Sequence, residues 1–573
     1  MVIRKSLAVA AAALALVGCA GAPATTTSTA GDYLSGRLAA GLNDIDAAAR
    51  NYGAAVAADP GDMDLVRSAF LYQLAAGDVD GAAVFARTLV AAKDEGGLAA
   101  FALGAVALKR GDLVEARSLM KGDFAEPMIK SLGFIADAWI EAEIAGPAAG
   151  ITAFDLGRDV FTGFNPTFKA MLLEERGDIA EAGAAHQLSL AAFGGPIGRA
   201  AYGAFLERHG EGAAARDYYA ILEKEGGPSR RLARAAQKRL DAGRPSDAYT
   251  DVSARDGVAM ALYLFAGNVI QQSAEELQRA NEAGFRVQER PFNLPLALAA
   301  LAVYLDPGLA DARRLIGSIH NIYGNYQSAR DAFSLIDASS PQFEQAQIEI
   351  ANSLAAEDRI GDAIRTLRDA IRRDADAEDA RLTLANLYAT EDRHEDAVRE
   401  ASRAISRLPD PPPTDSWRHY VTRAASLIEL DRFAQAEVDL KKAVEIAPEE
   451  PVALNYLGYS WAERGVNLDE AFALIEKAVE MRPQSGAIID SLGWAHYQRG
   501  DYQEALPHLE KAAALEPADP TVTEHLGDVY WRLGREAEAR FQWKRALELD
   551  PTERARAAID QKLKTGLAPA APK

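Results

Sequence analysis

Side chains able to do chemistry are few and poorly grouped in this chain. Its single cysteine, Cys19, excludes an intramolecular disulfide and every multi-cysteine metal site. The eight His are scattered, and none has a His or Cys partner at ligand spacing. His496 and His525 come nearest to a constellation, with Asp490, Glu524 and Asp528 in their neighbourhood. That group reads as the polar lining of a groove rather than as a metal site. There is no HExxH, CxxC or GxSxG string and no Gly-rich phosphate loop. With 83 Asp+Glu, an abundance of carboxylates does not single out a general acid or base. Against those acids stand 62 Lys+Arg, a formal net charge of −21, which repels nucleic-acid backbones. The expectation is a non-enzyme without metal or cofactor.

Cys19 does have an informative position. Arg4 and Lys5 precede an apolar run, Ser6 to Leu16, too short to span a bilayer. The run ends in Leu16-Val17-Gly18-Cys19, which resembles a bacterial lipobox. That resemblance implies cleavage by signal peptidase II and a diacylglycerol on the Cys19 thiol. Several acyl chains on one residue hold a protein stably at a membrane. Ala20 follows, not the Asp that retains such lipoproteins at the inner membrane, so the implied location is the periplasmic face of the outer membrane. Residues 1–18 are then a signal peptide. Residues 19–31 are the lipidated Cys with a Thr- and Ala-rich flexible tether.

The elements that must position everything else announce themselves by a period. Pro448, Pro483, Pro517 and Pro551 are spaced 35, 34 and 34, each five residues after an Ala (Ala443, Ala478, Ala512, Ala546). Leu-Gly pairs recur at 457–458, 492–493 and 526–527, and a second Ala series at Ala471, Ala505 and Ala539. Each unit is two amphipathic helices, with small residues where they cross and a Pro ending the second. The pattern resembles the tetratricopeptide repeat, with Trp461, Tyr530, Leu509 and Trp543 as its larger positions. Weaker copies continue upstream through Ala329, Ala363 and Ala397, and near the N-terminus through Ala48, Ala82 and Ala116. Between Pro409 and Pro448 the spacing grows to 39, the excess falling at Asp410-Pro411-Pro412-Pro413.

The expected fold is all-α, a right-handed α-solenoid of ten to twelve helical pairs in two arrays. Residues 32–243 form a divergent N-terminal array and 307–551 the C-terminal one. Residues 244–306 lose the register and read as an irregular helical junction, a bend or hinge. Residues 552–573 are a capping helix and a disordered tail. In such arrays the first helix of each pair lines an inner groove. That geometry selects Asn352, Asn386, Asn455, Tyr459, Asp490, Trp494, Tyr497, Asp528, Trp531 and Arg532 as a peptide- or protein-binding surface. Asn can bond both groups of an extended backbone, and Trp or Tyr adds contact area at low entropy cost. Trp494 and Trp531 are expected to be exposed. First-helix positions carry Asp and Glu more often than Lys, which favours neutral or basic partners.

Taken together, the lipobox, the two-part layout and the run from Asn455 to Ala512 resemble long outer-membrane tetratricopeptide lipoproteins of Gram-negative bacteria. One type in that family is an adaptor that binds a periplasmic carboxyl-terminal processing protease and the cell-wall hydrolases it degrades. The resemblance implies a non-enzymatic scaffold with those partners, held to the membrane by its lipid. The alternative is a structural part of an envelope assembly such as a pilus, secretin or polysaccharide-export machine. The Ala-rich helical surface leaves a homo-oligomer open.

Overall fold

The computed structural model describes residues 29–156, 163–192, 195–210, 212–282 and 292–568. Cys19, the signal peptide and most of the tether lie outside these residues, as does the end of the tail from 569. Among the described residues the chain is all-α. Six antiparallel pairs come first. They are α1 (Thr29–Gly41) with α2 (Ile45–Ala58), α3 (Met63–Ala75) with α4 (Val79–Ala91), and α5 (Leu98–Lys109) with α6 (Leu113–Met120). Then follow α7 (Pro127–Ala145) with α8 (Pro147–Leu156), α9 (Asn165–Arg176) with α10 (Ile179–Ala192), and α11 (Pro196–His209) with α12 (Ala213–Glu225). A single helix α13 (Gly227–Asp241) precedes a long hairpin of α14 (Ala254–Glu282) and α15 (Asn293–Leu305).

Seven further pairs complete the solenoid. The first three are α16 (Ala310–Ile322) with α17 (Tyr326–Ser334), α18 (Phe343–Ala356) with α19 (Ile360–Arg373), and α20 (Glu378–Thr390) with α21 (His394–Ile405). After a 3-10 turn (Thr414–Ser416) come α22 (Trp417–Glu429) with α23 (Phe433–Ile446), and α24 (Pro451–Glu463) with α25 (Leu468–Met481). The last are α26 (Gly486–Arg499) with α27 (Tyr502–Leu515), α28 (Pro520–Arg532) with α29 (Glu536–Glu548), and a closing helix α30 (Glu553–Thr565). Six and seven pairs exceed the ten to twelve expected, because divergent units such as α7–α8 lack the full set of landmarks. Thr29 to Gly31, expected in the tether, already form the first turn of α1.

The periodic residues do what their sizes dictate. A Cβ added at Gly458 would lie 2.7 Å from Ile475 and 2.8 Å from the Ala471 carbonyl, so the two helices cross at backbone distance there. Gly493 and Gly527 stand equally close to Leu509 and Trp543. The inter-helix turn needs a left-handed residue, supplied by Gly500 and Gly534 (φ +79° and +77°). Upstream the same place is held by Asp358, Asp392 and Asp431 (φ +55° to +61°), which hides those units from a Gly-based pattern.

Residues 244–306 are no simple bend. The α14–α15 hairpin packs against α3, α5 and α7, the first helices of successive pairs, and so fills the inner face of the N-terminal array. Gly257 to Ala266 and Pro295 to Ala302 are buried without interruption. A helix apolar all round is one surrounded by protein, which is why this segment shows no amphipathic period. Gly257 lets α14 lie on Trp139, only 2.3 Å from where a Cβ would be. Polar ties secure the hairpin: Asn293 Nδ2 donates to Tyr72 Oη (3.2 Å), Tyr304 Oη to Asp80 (2.8 Å), and the Ala254 N–H to Glu143 (2.7 Å).

A second long-range tie joins the arrays. One face of α13 carries Arg230, Arg231, Arg234 and Lys238, which meet the α19–α20 turn, the start of α20 and the turn before α22. Arg230, 1% exposed, reaches Glu378 (2.9 Å) and Asp415 (3.0 Å), and Arg231 reaches Asp379 (2.8 Å). Asp415 also accepts from the Gly227 N–H at 3.0 Å. The Pro-rich insertion of 410–413 thus delivers Asp415 to this contact.

Candidate protein-binding surface

The inner face of the C-terminal array is built by one position per unit, the residue after the close-packed Ala or Gly of each first helix. Over the last six of the seven pairs it holds, in chain order, Asn352, Asn386, Ala425, Tyr459, Trp494 and Asp528. Exposure falls along this series. Asn352 and Asn386 are exposed, Ala425 and Tyr459 half-buried, Trp494 and Asp528 buried. At the open end, Asn386 Oδ1 accepts a bond from Thr422 Oγ1 (3.0 Å) and leaves its amide group free for other acceptors.

At the closed end the side chains satisfy one another. Trp494, expected to be exposed, is 6% exposed. Its ring lies between Tyr497 (centroids 4.5 Å apart) and His525 (3.9 Å), and its Nε1 donates to Glu463. The first helices of successive units touch directly throughout this array, and at this end large inner-face side chains, Trp494 and His525, stack across the contact. Asp490 is likewise buried, its Oδ2 2.9 Å from His525 Nδ1, with Oδ1 lacking a donor. Burial opposes a charge on His525, but Asp490 outweighs it and raises the imidazole pKa. The 35-residue separation of this pair, one period, was its only signal in the sequence.

Asp528, 2% exposed, accepts from Trp543 Nε1 (2.8 Å) and from Lys562 Nζ (2.6 Å), and Lys562 also reaches Glu524 (2.7 Å). Burial works against the Lys562 ammonium, yet Asp528 and Glu524 raise its pKa. Trp531 is half-buried rather than free. It packs on Trp543 (5.3 Å), and Gly566, beyond α30, presses against its ring. Arg532 donates to Tyr497 Oη (3.1 Å) and to the Ala568 carbonyl (2.6 Å). Residues 566–568, expected as disordered tail, therefore lie across the end of the groove. Asn455 and Tyr459 mark the transition. Asn455 Oδ1 lacks a donor, and the Tyr459 hydroxyl is enclosed, its pKa raised by burial and then by Glu463.

The ten residues selected from sequence thus separate into an accessible pair, Asn352 and Asn386, a half-buried pair, Asn455 and Tyr459, and a self-contained cluster from Asp490 to Arg532. Among the described residues no group of His, Cys, Asp and Glu is arranged to hold a metal ion, and no helix is long and apolar enough to cross a membrane.

Comparison with known proteins bears on the same repeats. The tetratricopeptide repeat model matches residues 348–412, 421–486 and 491–561. Similar solved structures include a tetratricopeptide repeat protein from Parabacteroides merdae, at 15% identity over 43% of this chain and 94% of that one (TM-score 0.36). Another is the APC/C hetero-tetramer Cut9–Hcn1, at 16% identity over 89% and 97% (TM-score 0.39). A third is YrrB, a TPR protein with an unusual peptide-binding site, at 21% identity over 33% and 94% (TM-score 0.26). These likenesses concern the fold alone. No curated protein sequence matches the chain. Residues 348–412, 421–486 and 491–561 are thus tetratricopeptide repeats, set within a chain whose described residues form an all-α solenoid of helical pairs.

Proposed function

We propose that the chain is a protein-binding scaffold anchored at the periplasmic face of the outer membrane through a lipid on Cys19, bringing a processing protease together with cell-wall hydrolase substrates. Tetratricopeptide proteins are protein-binding scaffolds, typically without enzymatic activity, and no catalytic family matches here. The observation that carries the reading is the accessible inner face around Asn352 and Asn386, where two amides one period apart can bond an extended segment. Anchoring fixes the scaffold at one surface, and two partners held on one solenoid raise each other's effective concentration.

The test is co-purification from solubilised envelopes with the full chain as bait. The expected result is recovery of a protease and hydrolases from the wild type and their loss with Asn352→Ala/Asn386→Ala. Equal recovery with both replaced would remove the assignment of this face. Cys19→Ser should release the protein from the membrane fraction, and continued outer-membrane fractionation would refute the anchor.

The envelope-assembly alternative draws on a different feature. Leu34 and Leu38 stand one turn apart on α1, with Leu42 just beyond its end, and the three are 62%, 65% and 66% exposed. An apolar stripe of that kind suits a permanent contact. Isolation of a stoichiometric complex without protease would favour it.

A further inference from the structure

In a chain of net charge −21, one cleft is strongly basic. It lies between the second helices α19 and α21, over the start of α20, with a volume of about 300 Å³. Arg368 and Arg372 enter from α19, Arg381 from α20, and Arg399 and Arg403 from α21. The spacing is i, i+4 on both outer helices, which points each pair to one side. Ile371 and Leu384 supply an apolar wall.

The carboxylates present do not neutralise these cations. Glu400 lines the cleft and is shared, accepting from Arg403 Nη1 (2.6 Å) and Arg381 Nη1 (3.1 Å). Asp369 pairs with Arg372, and Asp396 with Arg399, but Asp396 is also shared with Arg393. Five guanidinium groups therefore meet three carboxylates, a surplus of two positive charges. Among the described residues Arg368 pairs with no carboxylate and lies over the Tyr388 ring, 5.7 Å from its centroid. Arg381 is 9% exposed and its buried Nε has no acceptor. A buried guanidinium N–H without an acceptor is costly, and the residue that carries it lines the cleft.

We propose that this cleft binds a phosphate monoester dianion. A phosphate brings close to two negative charges and three strong acceptor oxygens, matching the surplus and the multiple forks of arginine. A carboxylate would leave one positive charge unmet. The apolar wall takes the group esterified to the phosphate. The site is on the side of the second helices, so its ligand does not compete with a segment lying on the inner face at Asn352 and Asn386. Both a lipid phosphate and a soluble phosphate compound carry this chemistry.

The test uses the full chain in detergent, with phenyl phosphate followed by calorimetry and with vesicles containing phosphatidic acid or only phosphatidylcholine followed by flotation. Arg368→Gln/Arg399→Gln removes two exposed cations from the cleft, and Arg365→Gln, on the same face of the array but outside the cleft, serves as the charge control. The expected result is phenyl phosphate binding that weakens about 10- to 100-fold in the double variant and little in the control. Binding to phosphatidic acid vesicles above the phosphatidylcholine background, lost in the double variant, assigns a lipid source. Phenyl phosphate binding without vesicle binding assigns a soluble one. Equal binding by wild type and double variant, or no binding to either probe, overturns the proposal.

Discussion

The two arrays treat their inner faces differently. The N-terminal one wraps around a hairpin of its own chain, α14–α15, and its concave side is core. The C-terminal one has no such insert. Its groove is closed only toward the far end, by the Tyr497–Trp494–His525 stack and by Lys562 and residues 566–568. Between these closed regions lies the stretch around Asn352 and Asn386. A solenoid repeats one unit, but whether its groove receives a partner depends on what the rest of the chain places there. The same architecture thus yields a filled inner face at one end and an accessible surface in the middle.

The largest effects should come from the tie that holds the arrays together. Arg230→Ala leaves Glu378 buried without one of its cations, and should cost about 3–5 kcal/mol in denaturant unfolding. Loss of less than about 1 kcal/mol would mean the arrays are not energetically coupled at α13. Trp494→Ala should cost a comparable 3–5 kcal/mol, as expected for a buried aromatic, whereas Asn386→Ala should change stability by less than about 0.5 kcal/mol. Equal tolerance of the two changes would erase the contrast between closed and open groove. Gly257→Ala, which drives a methyl into Trp139, should destabilise by about 1–3 kcal/mol and speed amide exchange in α7 and α14. Unchanged exchange there would show that the hairpin is not tightly seated.

The last expected effect is one of pH. Glu344 turns its carboxyl group inward to accept from the Ala380 N–H (3.0 Å). Burial, then Asp379, pushes its pKa up to about 7 from an ordinary 4.5. The folded chain thus holds a proton between those values that the unfolded chain has released. This group's contribution is largest below about pH 4.5 and declines as pH rises to 7, by about 1–3 kcal/mol. Glu344→Gln should flatten that part of the stability profile. An unaltered profile in the variant would assign the dependence to other groups.

Some of this is legible in the order of residues alone. The 34-residue period, the Gly and Ala crossings and the terminal prolines are local requirements of two helices packing at short range, and each leaves its mark on residue type. The units with Asp in the left-handed turn are harder to see, because Asp tolerates that conformation without being reserved for it. Inner-face positions can be selected from register, yet their exposure cannot, since Trp494 is buried by the side chains of Tyr497 and His525. The basic cleft is equally hidden. Its five arginines come from three helices and stand among many others in an arginine-rich segment.

By itself, then, the sequence determined the unit: an all-α hairpin of fixed length, repeated, with one face of each first helix turned inward. What fills that face was decided only by tertiary structure. The burial of α14–α15, the Arg230–Glu378–Asp415 contact and the covering of Trp531 by Gly566 all join residues far apart in the chain. Periodicity records which side of a helix is apolar, and it carries no information about which distant segment will come to lie against it.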